Sequence, residues 1–307
     1  MVRFSDTAQY AVIEGDEYLS STLDPRPKFL HYKPHVAVIS GIAWDHANVF
    51  PTFDNYQDQF REFIYCIEPG GKLIYCREDN VTADVCETTP ADIMKKPYYT
   101  HDHVERDGQL FLKDENGEYP IHVFGEHNLQ NLSVAQIACK QLGISPAQFY
   151  ESIQSFKGAS LRSEPLVDNE NATIFRDFAH SPSKVKATVE AFKGKYKDRR
   201  LFAFFELHTY SSLNKEFMKQ YAGSMDPADE AIVYFDPAVV EQKRLEAVSK
   251  EDVSSAFNNK ELTVIDHKGE VKDAIVTRFK KGDVLLMMSS GNFGGIDLKA
   301  MVVELSA

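Results

Sequence analysis

The sequence predicts an α/β protein in two parts, and three observations carry that prediction. At 307 residues the chain is long enough for two hydrophobic cores, and 43% hydrophobic against 26% charged residues supplies the apolar material for both. From Asn171 onward, short apolar, β-branched or aromatic runs alternate with helix-compatible stretches. Before that point the pattern is mixed, with strands, helices and a tract of short runs separated by turns.

In chain order, residues 10–13 and 35–40 read as buried strands, 56–67 as an amphipathic helix and 71–75 as a further strand. Three short runs, at 98–101, 109–112 and 120–124, are broken by the turns Asp107-Gly108 and Asn116-Gly117 and read as an antiparallel meander. Helices follow at 129–142 and 145–156, the second opened by Ser145-Pro146 as cap and first turn. The loop Lys157-Gly158-Ala159-Ser160 then divides the chain into domains 1–158 and 159–307. In the second domain, strands at 172–178, 201–205, 231–235, 262–265 and 284–288 alternate with helices at 183–192, 214–221, 250–257, 269–279 and 296–305, the pattern of βαβ units in a mostly parallel sheet. Ligands of such sheets gather where strands end and loops begin.

Composition narrows the function. A net charge of −12 with no Lys/Arg cluster argues against nucleic acid or an anionic membrane as partner and points to small-molecule chemistry. Cys66, Cys76, Cys86 and Cys139 lie far apart with no C-x-x-C pair, the pattern of reduced core thiols. The start, Met1 to Asp6, has no apolar leader, and the longest apolar run, 284–288, is too short to cross a bilayer, so the expected location is the cytoplasm.

Five constellations carry the chemistry. Ile13-Glu14-Gly15-Asp16-Glu17-Tyr18 follows a predicted strand; its acids suit a hard cation, or are simply a solvated face. Ser40-Gly41-Ile42-Ala43-Trp44-Asp45-His46 closes the next one; its Asp-His pair suits a metal or a phosphate, or is a His hydrogen-bonded in a loop, and parallel neighbouring strands would bring Glu14 and His46 out side by side. In Phe124-Gly125-Glu126-His127-Asn128-Leu129-Gln130-Asn131, two amides three residues apart at a helix start can face one way and suit an adenine edge, or serve only as a cap. Arg162, with Arg176-Asp177-Phe178-Ala179-His180-Ser181-Pro182 at a strand end, offers a phosphate partner, a carboxylate and an imidazole, or a capping Asp and a surface His. Met288-Ser289-Ser290-Gly291-Asn292-Phe293-Gly294-Gly295-Ile296 offers the backbone N–H groups of a glycine-rich turn, or merely a tight connection.

In this order the five motifs resemble the Mur ligase family, ATP-dependent amide-forming enzymes of bacterial cell-wall synthesis, over nearly the whole chain. The resemblance implies part of the family's central ATPase-type domain, with a mixed sheet and a small meander, followed by a Rossmann-like C-terminal domain. It looks strongest to the murein-peptide ligase branch, which joins UDP-N-acetylmuramate to L-alanyl-γ-D-glutamyl-meso-diaminopimelate in cell-wall recycling; the sister branch adds L-alanine instead. The cofactors implied are ATP and Mg²⁺, and the substrates are small molecules. By position, Glu14 and His46 match magnesium-site residues, His46 being also the catalytic candidate. Asn128, Asn131, Arg162, Asp177 and His180 match nucleotide contacts. His208 and Tyr210 resemble the L-alanine branch and the turn with Ser290 and Asn292 the peptide branch, both on the amine-substrate side.

The chain also departs from the family. It holds no Gly-x-x-Gly-Lys-Thr/Ser phosphate loop: Gly71-Lys72-Leu73 and Gly194-Lys195-Tyr196 lack both the hydroxyl residue and the glycine-rich approach. No lysine lies between His46 and Lys72 to match the carbamylated lysine of some branches, and residues 209–215 match neither branch. The expectations are therefore a ligase fragment inactive by itself, an enzyme whose N-terminal portion is a second chain, or a non-catalytic nucleotide- or partner-binding module. In each case the front half is expected to expose apolar surface and to pair, as a homodimer or with the N-terminal portion.

Overall fold

A computed structural model describes residues 5–307; of the start Met1 to Asp6 read above, the first four residues lie outside the described residues. The fold is α/β with a mixed sheet, as the sequence predicts. Two compact units divide the chain: residues 5–102 with Lys113–Tyr119 and Leu129–Gln154, and His103–Leu112 with Pro120–Asn128 and Ser155–Ala307.

The first unit is built on three parallel strands in the order β1 (Val36–Ile39), β2 (Lys72–Cys76), β3 (Met94–Tyr98). Helix α1 (Phe53–Tyr65) starts at Thr52, whose side chain accepts the Asn55 N–H. It buries Tyr56, Phe60, Phe63 and Ile64, one helical stripe, in a core with Phe29 and Leu73. Helix α2 (Asn80–Thr88), capped by Asp79, has no counterpart in the sequence prediction, because its Asn, Thr and Val residues carry weak helix preference. The other sheet face packs Ile74, Cys76 and Tyr98 against Val134.

Two expectations need correction here. Residues 10–13 form no strand; Tyr10, Val12 and Ile13 are 61%, 86% and 57% exposed, so the tract is apolar without being covered. The meander is real but shifted: β4 (His103–Arg106), β5 (Gln109–Asp114) and β6 (Gly117–Ile121) line up in that order, while Tyr98 ends β3. The Asp107-Gly108 turn carries the positive φ angles that a tight hairpin needs. Helices α3 (Glu126–Gln141) and α4 (Pro146–Ile153) follow, α4 opened by a capping box between Ser145 and Gln148.

The second unit contains a six-stranded sheet. Its strands are β7 (Glu164–Asp168), β8 (Thr173–Asp177), β9 (Leu201–Leu207), β10 (Glu230–Phe235), β11 (Thr263–Ile265) and β12 (Val284–Met288), in the order β11-β10-β9-β12-β8-β7. All pairs are parallel except β7 with β8. Every residue of β9 and β12 is buried, which explains their unbroken apolar runs. The connecting helices are α5 (Pro182–Lys195), α6 (Tyr210–Leu213), α7 (Lys215–Met218), α8 (Pro237–Gln242), α9 (Lys250–Phe257), α10 (Lys268–Arg278) and α11 (Leu298–Ser306). Strand β12 enters between β9 and β8 after the chain has gone out to β11, so connections diverge in opposite directions at β9 and β12. That is a topological switch point, where ligands of open α/β sheets bind.

The four cysteines are free thiols, and burial pushes that of Cys86 up to about 12. Among the described residues no helix is long and apolar enough to cross a membrane.

Candidate functional site

At the carboxyl edge of the six-stranded sheet, loops leave β8, β9 and β12 side by side. The first begins at Asp177, which is only 3% exposed. Its Oδ2 accepts the Ser163 N–H at 2.7 Å and its Oδ1 the Ala179 N–H at 2.7 Å. The carboxylate predicted to meet a nucleotide is thus occupied in shaping two loops. One of these carries Arg162 between Leu161 and Ser163, both at positive φ (61° and 45°), and is tied again by Phe178 N–H to Leu161 O at 2.9 Å. Arg162 itself is exposed between these two left-handed positions. The guanidinium lies 5.3 Å over the Phe178 ring, and that ring packs edge-on against His180. His180 is fixed by Nδ1 on Phe178 O at 2.9 Å and by the Tyr221 hydroxyl, which donates to its carbonyl.

In the same unit, Phe124 packs against Phe192 of α5, and Gly125 is held at φ 89°, where a Cβ would lie 2.6 Å from that of Ala191. This sets the start of α3. The Asn128 amide donates to Phe124 O at 2.8 Å and meets His127 Nε2 at 3.1 Å, so its nitrogen is engaged locally and its carbonyl oxygen is left for a ligand. Burial lowers the His127 pKa; the Asp177 charge raises it and the Arg162 charge lowers it. Asn131, one turn along α3, is exposed.

The β9 and β12 loops meet closely. A Cβ on Gly291 would lie 2.8 Å from both Glu206 Oε2 and His208 Cγ, so only glycine fits against these two side chains. Tyr210 is 37% exposed, Ser290 half-buried and Asn292 exposed. The four amine-side candidates therefore leave two adjacent strand ends. One expectation fails in part here: four N–H groups of the glycine-rich turn are already engaged within the protein. That of Gly291 goes to Ser289 Oγ, those of Phe293 and Gly294 to Glu206, and that of Gly295 to Asn292 O. Glu206 was not singled out in the sequence, although an acid closing an all-apolar strand is a recognisable signal for a buried carboxylate with a task.

In the first unit, the expected neighbour of His46 is replaced by another acid. Glu14 is exposed, because residues 10–13 do not pair as a strand that would carry it there. The carboxylate that meets His46 is Glu17, with Nε2 to Oε1 at 3.3 Å. Asp16 anchors this segment, bonding Tyr18 N–H at 2.9 Å and Lys28 Nζ at 2.6 Å. His46 sits at φ 53° with its N–H on Asp45 Oδ1 at 2.7 Å and its ring 4.9 Å from that of Tyr18. Tyr56 donates to Glu17 at 3.3 Å, and burial, then the Glu17 and Asp45 charges, raise its phenol pKa.

Comparison with known proteins gives a consistent result. The profile of the Mur ligase middle domain matches residues 1–139, and that of the Mur ligase glutamate ligase domain matches residues 161–291. The UDP-N-acetylmuramate–L-alanine ligase of Desulfitobacterium hafniense is 25% identical over 290 residues, covering 91% of this chain and 64% of that protein. The UDP-N-acetylmuramate–L-alanyl-γ-D-glutamyl-meso-2,6-diaminoheptandioate ligase of Escherichia coli is 27% identical over 303 residues, covering 96% and 65%. The crystal structure of a murein peptide ligase from Psychrobacter arcticus superposes with a TM-score of 0.66 at 25% identity, covering 99% of this chain and 65% of that one. The chain thus spans somewhat less than two thirds of the length of these relatives.

Proposed function

This chain belongs to the Mur ligases, being built of their middle and C-terminal domains, and from that premise we propose that it serves ATP-dependent amide-bond formation on UDP-N-acetylmuramate, with the murein tripeptide as amine. The observation that carries the proposal is the meeting of the β8, β9 and β12 loops at the switch point of the second unit's sheet. In the proposed reaction the muramate carboxylate attacks the γ-phosphate of ATP, releasing ADP and leaving an acyl phosphate. The peptide amine then attacks the acyl carbon, and inorganic phosphate leaves from the tetrahedral intermediate.

The protein's part is charge neutralisation and positioning. Arg162, presented by its strained loop, pairs with phosphate, and Asp177 acts by holding that loop and the one bearing His180. Asn128 offers its carbonyl oxygen to the adenine amino group, with Asn131 the second amide candidate on α3. His208, Tyr210, Ser290 and Asn292 face the incoming amine. Glu17 and His46 fit a Mg²⁺ ion that keeps most of its shell as water and phosphate oxygen, with Glu14 the sequence-derived alternative. Among the described residues no three His, Cys, Asp or Glu side chains gather to hold a metal by protein alone, so binding of Mg²⁺ is expected only with nucleotide. The bound ion would offset phosphate charge.

The test is a pair of NMR titrations on the 307-residue protein. A non-hydrolysable ATP analogue with Mg²⁺ should shift Asn128, Arg162 and His180, and the tripeptide should shift His208, Ser290 and Asn292 with higher affinity than L-alanine. Stronger binding of L-alanine would favour the L-alanine ligase reading, which the resemblance of His208 and Tyr210 supports. Nucleotide binding without either amine would leave a non-catalytic module. Because the 307 residues contain no phosphate-loop motif, the chain alone should give no ligation, and turnover by the purified protein would overturn that expectation.

A further inference from the structure

The turn after β12 already contains an anion of the protein's own. Glu206 is 3% exposed at the end of β9. Its Oε2 accepts the Phe293 N–H at 2.8 Å and the Ser289 hydroxyl, and its Oε1 accepts the Gly294 N–H at 3.0 Å. Two successive backbone N–H groups and a hydroxyl converging on one carboxylate have the geometry of an anion nest. The turn needs such a template. Phe293, Gly294 and Gly295 all take left-handed backbone angles (58°, 70° and 80°), and Phe293 does so as a wholly buried aromatic residue. A Cβ on Gly294 would lie 3.0 Å from the Tyr234 ring, so the turn also sits hard against its neighbours.

We infer that Glu206 is a positioning residue: an internal anion that fills this nest, holds the turn in its left-handed form, sets Ser290 and Asn292 beside His208, and keeps external phosphate or carboxylate out. The consequence rests on the ligase reading: the amine substrate then meets side chains at this turn, and the Phe293 and Gly294 amides bind no part of either substrate.

The experiment is amide exchange and anion titration by NMR on the full chain, neither of which needs turnover. In the unaltered protein, acetate and inorganic phosphate leave the Phe293 and Gly294 amides unmoved. In Glu206→Ala those two amides exchange roughly 10- to 100-fold faster, the loss expected for a hydrogen bond to a charged group. Added acetate slows them again by occupying the nest. The inference is overturned if either anion shifts these amides in the unaltered protein as strongly as in the variant. It is equally overturned if acetate leaves the variant's exchange unchanged while the β12 amides show the sheet intact. Should Glu206→Ala fail to fold, Glu206→Gln keeps the side-chain volume and turns one acceptor towards a donor. Exchange at Phe293 or Gly294 must then rise, and unchanged exchange at both rejects the inference. Failure of both the tripeptide and L-alanine to bind the unaltered protein would reject the ligase reading and leave these exchange results untouched.

Discussion

The two units hold their candidate residues in different ways. In the second, β9 and β12 are buried along their whole length and bonded on both sides; the buried carboxylate of Glu206 fastens the loop after β12, and that of Asp177 fastens the Arg162 loop and the loop after β8. In the first, β1 has a single bonded neighbour among the described residues, Val38 on it is 40% exposed, and the Glu17–His46 pair is only half-buried. A central strand fixes the direction of the loop leaving it, and a buried carboxylate then fixes the loop's shape. Residues beside an edge strand lack the first constraint, and around His46 the second comes from the buried Asp45, which accepts the His46 N–H at 2.7 Å. The nucleotide and amine candidates of the second unit are therefore preorganised, whereas those of the first depend on a few local contacts.

The sharpest test of this contrast is a pair of substitutions. Phe205→Ala removes a fully buried ring that packs on Tyr221 and Phe257, and should destabilise the second unit by about 3–5 kcal/mol. Val38→Thr keeps a β-branched side chain on the edge strand and should change stability by no more than about 0.5 kcal/mol. Denaturation followed by hydrogen exchange at β9 and β12 reads the first. The single tryptophan, Trp44, reports on the first unit by fluorescence. Equal effects at the two positions would break the contrast.

The same contrast explains what the sequence made legible. Strands β8 to β12 were readable because a sheet buried on both faces demands unbroken apolar runs, and Leu201–Phe205 is one. Strand β7 was not, since Glu164–Asp168 is a half-exposed edge strand with a proline and a bulge. Residues 10–13 misled for the opposite reason: their composition is that of a strand, but strand formation needs a hydrogen-bonding neighbour that composition does not report. At the site, residue types and order pointed to Arg162, Asp177 and His208. What they could not convey was who bonds whom. That Glu17 and not Glu14 meets His46, and that Glu206 takes the Phe293 and Gly294 N–H groups, depends on side-chain direction, which residue type and order do not report.

A smaller effect is expected at His127, where packing acts on charge. Burial first, with Arg162 adding to it and Asp177 opposing, holds its pKa below the ordinary imidazole value of about 6.5. As pH falls through that value the unfolded chain takes up the proton before the folded one does. The stability His127 contributes is thus complete above about pH 6.5 and is lost as pH falls towards the folded value. Protonation also puts a second donor against the Asn128 amide, now bonded to His127 Nε2. His127→Gln should flatten this part of the stability–pH curve and make nucleotide binding less sensitive to acid. An unchanged curve would mean that the start of α3 is no more rigidly held than the edge of the first unit.

The smallest effect on stability, with the clearest effect on association, belongs to the uncovered tract of the first unit. Val12 is 86% and Ile13 57% exposed, so changing both to lysine should alter unfolding by less than about 0.5 kcal/mol. Together with Tyr10 and Val38 they nonetheless give the unit several exposed apolar side chains, the kind of surface that drives association at rising concentration. Sedimentation velocity should show concentration-dependent dimers for the unaltered chain and monomers for Val12→Lys with Ile13→Lys. If the unaltered chain is monomeric at every concentration, exposure in the first unit has no adhesive consequence, and the two units would then differ in rigidity alone.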